Sequence, residues 1–321
     1  NIKIFENYDF TVDDVYPVDD YFVIHTDKGE MILKKMETVE KVRSTNKRIA
    51  RIKKSFDGIN NLIKGKDGET FINWSGDIYC LFNMPSGRVS NFNEPSDLIS
   101  VSKALAMFHM ASSNYQSIEG DNYYYNKLID NSISKLKKIR FYKLIAEMHK
   151  NKSDFDKIFL NMTNCYESQF ESAIKLLSKN YDVKNLNKNK YICHHDLFNK
   201  NIIIDDQNEK VFFIGIDKSI IDNKIHDLCN LINKIIYSSN IDIANVIDNY
   251  CSIFSINKAE LNLLNIMINI PENFYNLASC YYESISICQK EILTKKMYKL
   301  VESEIERIKN IKFFNNMLKY F

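Results

Sequence analysis

Residues 191–217 read YICHHDLFNKNIIIDDQNEKVFFIGID. Two apolar runs, "KYIC" (190–193) and "NIII" (201–204), flank a polar loop that carries His194, His195, Asp196 and Asn201. A third apolar run, "VFFI" (211–214), follows a polar turn, so the stretch predicts a loop held at the mouth of a β-hairpin. A surface turn rich in Asp and Asn would share the loop's composition, but not the apolar strands on both sides. The pair His194-His195 invites a metal reading. Adjacent residues of an extended segment point to opposite sides, and no His-Glu-x-x-His helix pattern is present. A histidine–zinc site is therefore not expected.

The rest of the chain frames that loop. Its 321 residues suit one large domain or two lobes. Apolar residues make up 45% and charged residues 26%, the composition of an ordinary globular protein. A net charge of +2 gives no global pull toward nucleic acid or membrane. The seven cysteines are scattered without a CxxC pair, which argues against a disulfide framework and for a reducing compartment. The first residues, "NIKIFENYDF", have no signal-peptide pattern, and no apolar run nears 18 residues, so cytosolic synthesis is expected.

Up to about residue 90 the pattern is strand-rich. "DYFVIHT" (20–26) and "EMILKKM" (30–36) flank the turn "DKG", in which Gly29 can take positive φ. A helix is predicted over 38–55, then a second hairpin, 70–74 and 77–82, around Ser75-Gly76. "NMPSGR" (83–88) reads as a linker. From Pro95 the pattern turns helical, with Leu98, Val101, Leu105 and Phe108 on one face. Ser153 and Asp156 read as a capping pair for another long helix. Met297, Leu300, Val301, Ile305, Ile308 and Ile311 read as the buried stripe of a final helix.

This layout and several motifs resemble the aminoglycoside-phosphotransferase and choline-kinase branch of the protein-kinase-like fold, and within it the spore-coat CotS/CotI family. "GEMILKK" resembles the strand of the phosphate-binding lysine, "LAMFH" (105–109) the LAxLH helix, and "HHDLFNKN" (194–201) the HxDxxxxN loop. "IHDL" (225–228) and "IPENFYNL" (270–277) resemble later motifs of the branch and of the coat family. The resemblance spans nearly the whole chain. It implies an α+β, two-lobe fold: a small antiparallel β lobe with one helix (1–83), a linker (84–88) and a larger, mostly helical lobe (89–321). Lys34, Asp196, Asn201 and Asp217 are expected to meet in a cleft.

In kinase-like sites the loop aspartate orients a substrate hydroxyl and accepts its proton, while the asparagine five residues on helps hold Mg²⁺. The resemblance assigns these roles to Asp196 and Asn201. It makes Lys34 the lysine that pairs the ATP phosphates, and Asn83 and Met84 nucleotide contacts. His194 would brace the loop, and His195 stands where the phosphotransferase branch most often has glycine. If the chain is active, ATP and Mg²⁺ are the implied cofactors. The implied partners are other spore-coat proteins and a small hydroxyl-bearing substrate such as a sugar or amino alcohol, with assembly into the coat. Substrate specificity is assigned to residues 118–185, which carry no recognisable motif.

Three departures bear on activity. The branch reads Ile-Asp-Phe-Asp where this chain has Ile214-Gly215-Ile216-Asp217, and Gly215 has no side chain to coordinate Mg²⁺. On a strand, Asp217 would lie roughly 6–7 Å from the missing ligand and reach the metal only through a bulge. The helix at 38–55 has no acid between Lys41 and Ser55 to hold Lys34; Glu37 and Glu40 stand near its start. The nucleotide loop, "YPVDDYF" (16–22), has no glycine and carries Asp19 and Asp20. Together they predict lost or much reduced phosphoryl transfer. The basic helix (Lys41, Arg43, Lys47, Arg48, Arg51, Lys53, Lys54) is expected to be a solvated face. No nucleic-acid motif accompanies it.

Overall fold

The computed structural model describes residues 3–18, 20–116, 127–180, 190–283 and 287–317. The chain divides into two compact units: residues 1–123 with 189–224, and residues 124–188 with 225–321.

The first unit is built on a five-stranded antiparallel sheet of order β1-β2-β3-β5-β4. Its strands are β1 (Val12–Val18), β2 (Tyr21–Thr26), β3 (Gly29–Met36), β4 (Ile72–Trp74) and β5 (Asp77–Asn83). Both predicted hairpins form: Gly29 takes φ 100°, and Ser75 and Gly76 take φ 52° and 87°. β1 pairs with β2 from Val12↔Thr26 to Val18↔Tyr21, with a register shift between Val12 and Asp14, so the expected nucleotide loop spans the end of a β-hairpin, of which Asp19 lies outside the described residues.

Alternation along β3 separates two jobs. Met31 and Leu33 pack with Ile4, Phe5, Tyr8, Ile24 and Leu81 in one core. Ile32 and Lys34 face the other way and line a cleft. Lys35 is exposed and pairs with Asp77 at 2.8 Å, as the opposite facing of the two lysines requires.

Helix α1 (Val39–Ile52) is capped by Thr38, whose side chain accepts from the Lys41 amide. Its basic residues do not form a purely solvated face, because Arg48 is fully buried. Arg48 donates to the Ser44 carbonyl, the Ser44 and Thr45 hydroxyls and the Ser219 carbonyl, tying the helix to the loop that follows Gly215.

Helix α2 (Pro95–Ser112) starts with proline at its first turn and buries Leu98, Val101, Leu105, Phe108 and His109. His109 is fully buried, edge-on to Phe108. Strands β6 (Arg88–Val89), β8 (Ile202–Asp205) and β9 (Lys210–Phe213) form a small sheet, and β7 (Tyr191–Cys193) pairs with β10 (Ile220–Asp222). Arg88 grips Asp97 at 2.7 and 2.8 Å and Asp206 at 2.6 and 3.0 Å, fixing the start of α2 to the β8–β9 hairpin. The backbone of Gly58 and Ile59 runs close to β9, where a Cβ added at Gly58 would stand 2.3 Å from the Val211 carbonyl oxygen.

The second unit is helical: α3 (Leu128–Met148), α4 (Asp154–Asn180), α5 (Ile225–Ile235), α6 (Ile243–Cys251), α7 (Lys258–Ile268), α8 (Glu272–Glu283), α9 (Ile287–Glu302) and α10 (Glu304–Met317). The Ser153–Asp156 pair does open α4, with the Asp156 amide donating to Ser153 Oγ and the Ser153 amide to Asp156 Oδ2. The "IPENFYNL" segment supplies Phe274, stacked on Phe159 and Tyr166, and Glu272, paired with Lys135 at 2.6 Å. The final stripe is corrected. The helix breaks at Ser303, so Met297, Leu300 and Ile311 are buried while Ile305 and Ile308 are 65% and 42% exposed. Of the region assigned to specificity, α3 and α4 are described, and residues 117–126 and 181–189 lie outside the described residues.

Candidate functional site

The cleft lies within the first unit. Asp20, Tyr21, Ile32, Lys34, Asn60, Phe82, Asp196, Lys200, Asn201, Ile214, Gly215, Asp217 and Lys218 line it, and its free space is about 30 Å³. That is room for a water or two. The structure therefore brings together Lys34, Asp196, Asn201 and Asp217, residues separated by up to 183 positions in sequence. It does not bring Asn83 and Met84 to the lining. Asn83 Oδ1 accepts from the Asn61 amide at 2.6 Å, and the Met84 amide donates to the Glu30 carbonyl at 3.1 Å, extending the β3–β5 ladder.

The loop that holds Asp196 is braced from below. His194 is fully buried, and its Nε2 donates to the Ile214 carbonyl at 2.9 Å. This is the bracing role expected of it, and it joins the loop to the residue before Gly215. Asn201 donates its side-chain amide to the Asp196 carbonyl at 2.9 Å, while its own backbone carbonyl accepts from the Ile214 amide. His195 takes φ 65°, which explains why glycine suits this position. A non-glycine residue in the left-handed region costs about 1–2 kcal/mol.

The segment after β9 overturns one expectation. β9 ends at Phe213, and residues 214–217 are not a strand. Gly215 takes φ 90° and ψ 26°, and residues Ile216–Lys218 form a single 3-10 turn. Three residues per turn rotate successive side chains by about 120°, so Asp217 and Lys218 can both reach the cleft, which a strand would forbid. No bulge is needed for Asp217 to enter it.

A second expectation is also corrected. Lys34 does have an acidic partner, and it is not on α1. Lys34 Nζ lies 2.7 Å from Asp217 Oδ2, with side-chain exposures of 11% and 8%. The helix contributes the buried Arg48 instead, holding the Ser219 carbonyl two residues beyond Asp217.

The ion pairs continue outward. Asp20 Oδ2 lies 3.6 Å from Lys34 Nζ and 3.3 Å from Lys218 Nζ, and Lys218 Nζ lies 3.1 Å from Asp196 Oδ2. Charges thus alternate along Asp217, Lys34, Asp20, Lys218 and Asp196. Burial alone would push the Lys218 ammonium down and the Asp20 carboxyl up. In each case the opposite charges prevail: Asp196 and Asp20 hold Lys218 above its ordinary value, and Lys34 and Lys218 hold Asp20 below its own. On β5, burial and then the charge of Asp217 push the Cys80 thiol up to about 12, so it is an inert neutral group behind the site.

Sequence reasoning missed Lys218 and Asn60. Lys218 is invisible to strand periodicity, because its direction is set by the Gly215 turn. Asn60 is 2% exposed, and among the described residues its Oδ1 meets no donor.

The residues present do not fit a kinase-type Mg²⁺ site. Gly215 offers no oxygen from a side chain, the Asp217 carboxylate is engaged by Lys34, and an ammonium stands against Asp196. Among the described residues, Cys80, Cys165, Cys193, Cys229, Cys251 and Cys280 form no disulfide, and no described helix is long and apolar enough to cross a membrane.

The fold is shared with solved phosphotransferases. An aminoglycoside phosphotransferase from Alicyclobacillus acidocaldarius superposes with a TM-score of 0.85 at 14% identity, over 99% of this chain and 96% of that one. The spectinomycin phosphotransferase APH(9)-Ia, solved with ADP and spectinomycin, gives 0.65 at 11% identity, over 97% and 93%. The amicoumacin kinase hAmiN, solved with AMP-PNP and Ca²⁺, gives 0.63 at 13%, over 94% and 92%. These identities establish the kinase-like fold alone. The family described as "Spore coat putative kinase YutH" matches residues 1–314. With that match over nearly its whole length, the chain belongs to this spore-coat kinase family, on an aminoglycoside-phosphotransferase-like fold.

Proposed function

We propose that this chain serves the spore coat as a kinase-fold protein whose cleft retains phosphate-binding lysines but has lost productive Mg²⁺-dependent phosphoryl transfer. One observation carries the reading. Of the two aspartates that phosphoryl transfer uses in this branch, the metal ligand is replaced by Gly215 and the loop aspartate, Asp196, is ion-paired to Lys218, while the nearest substitute carboxylate, Asp217, is ion-paired to Lys34. A carboxylate neutralised by an ammonium at 2.7 Å is a poor ligand for a divalent cation, and its release would cost the pair.

Lys34 in this reading is the phosphate contact, Asp196 and Asn201 a preserved but unused loop, and Asp217 the anchor of Lys34 rather than a metal ligand. A second reading, an active phosphotransferase acting on a hydroxyl of a small molecule, draws support from the intact Asp196–Asn201 loop geometry. It requires Lys34 and Lys218 to exchange their carboxylates for Mg²⁺–ATP. ATP titration of the wild type with and without Mg²⁺ separates the two. The first reading expects no metal dependence, and the second requires it.

A further inference from the structure

A single carboxylate oxygen sits between two ammonium groups in the cleft. Asp20 Oδ2 is 3.6 Å from Lys34 Nζ and 3.3 Å from Lys218 Nζ, at the tip of the β1–β2 hairpin. In a kinase-type fold that hairpin covers the nucleotide phosphates, and here its tip delivers an anionic oxygen to the lysine that would bind them. We propose that the cleft binds the diphosphate or triphosphate of a nucleotide without metal, with Lys34 and Lys218 as paired cationic ligands, and that Asp20 holds the phosphate position in the unliganded protein. This inference rests on the reading of the cleft as a phosphate site.

Three features select Asp20 as the displaceable group. Its side chain is 53% exposed, whereas those of Asp217 and Asp196 are 8% and 19% exposed. It stands on a hairpin tip, while Asp217 and Asp196 stand on turns fixed by Arg48, His194 and Asn201. Three lysines (Lys34, Lys200, Lys218) and three carboxylates (Asp20, Asp196, Asp217) line the cleft, so withdrawing Asp20 alone leaves a net positive pocket.

Lys218 then does the neutralising work that a metal does in an ordinary kinase site. It stands there because Gly215 lacks a side chain and turns the backbone into the 3-10 segment that carries Asp217 and Lys218. The ligand class follows from the other walls. Ile32 and Phe82 supply apolar surface, and the buried Asn60 Oδ1 supplies an acceptor that meets no donor among the described residues. In a space of about 30 Å³ the phosphates meet the lysines first, and a base that reached the apolar wall and Asn60 would add affinity that an inorganic anion lacks.

The test is calorimetric titration of inorganic pyrophosphate and of ATP, in EDTA and in Mg²⁺, into wild type, Asp20→Asn and Lys218→Met. Both ligands are expected to bind the wild type in EDTA. Asp20→Asn should tighten both by about 5-fold, the equivalent of an exposed ion pair worth up to about 1 kcal/mol. Lys218→Met should weaken both about 10-fold or more, and ATP should bind more tightly than pyrophosphate. Asp20→Ser serves as a second variant should Asp20→Asn fold poorly. Equal affinities in wild type and the Asp20 variants, or no loss in Lys218→Met, would overturn the inference while leaving the phosphate reading intact. Binding only in Mg²⁺ would overturn the metal-free site while leaving a nucleotide site. No binding by any variant under either condition would overturn both.

Discussion

Replacing Gly215 by aspartate restores the carboxylate that the kinase-like branch carries at this position, and its cost can be worked from the backbone. Gly215 sits at φ 90° and ψ 26°, and a Cβ built on it meets nothing within 4 Å. The penalty is therefore conformational rather than steric. A left-handed residue costs about 1–2 kcal/mol, with Asp and Asn at the low end because their short polar side chains tolerate that region. Gly215→Asp and Gly215→Asn should each lose about 1 kcal/mol, a fall of about 2–4 °C in Tm for a unit of this size. Only the aspartate adds an anionic metal ligand beside Asn201. A ligand at 100 times its Kd adds about 2.7 kcal/mol, more than the penalty. Thermal unfolding with millimolar ATP in EDTA or Mg²⁺ reads both effects. Gly215→Asp should gain a Mg²⁺-dependent rise of several degrees that Gly215→Asn and wild type lack. If Gly215→Asp responds to Mg²⁺–ATP no more than Gly215→Asn, Gly215 is not the lost ligand position and the reasoning fails.

Other consequences concern stability. Lys34→Met strands the buried Asp217 carboxylate and should cost about 3 kcal/mol, whereas Lys34→Met with Asp217→Asn should recover most of that loss in urea unfolding; additive losses would show that the pair is not coupled. Arg48→Met removes the donors to the Ser219 carbonyl and the Ser44 and Thr45 hydroxyls, and should cost about 1–3 kcal/mol, read by the same assay. In the helical unit, burial would raise the Asp156 carboxyl, but His149, Ser153 and Tyr282 outweigh it and hold the group below its ordinary value. A depressed folded-state pKa contributes stability that is present above the unfolded value near 4 and lost as pH falls through the folded one. Asp156→Asn should therefore flatten the acid limb of the stability–pH curve below about pH 4, and an unchanged limb would contradict the assignment.

What the sequence made legible was whatever repeats locally. The β2–β3 and β4–β5 hairpins follow from alternation and from Gly29 and Ser75-Gly76, α1 follows from the helical pattern over 38–55, and α2 follows from Pro95 and its apolar stripe. The Asp196–Asn201 loop was legible because its spacing is fixed within one turn. What escaped depended on where the chain turns after Gly215. Read as a strand, the segment sends Lys218 away from Asp217 and leaves Lys34 without a partner; folded as a 3-10 turn, it supplies both charges. Arg48 looked like one more solvated cation because burial of an arginine depends on a carbonyl, that of Ser219, 171 residues away. The break at Ser303 escaped for a different reason: apolar spacing continues through it although the buried face does not.

In the proposed reading lysines, not a metal, hold the charge in this cleft. This is tested most directly by the affinity of the unmodified protein for ATP, measured by calorimetry in saturating Mg²⁺ and again in EDTA. The same Kd is expected in both, within about 2-fold, a difference of about 0.4 kcal/mol, with no ADP formed over the titration. An affinity at least about 10-fold tighter in Mg²⁺, or about 1.4 kcal/mol, accompanied by ADP release, would show an active kinase with a rearranged metal site and contradict it.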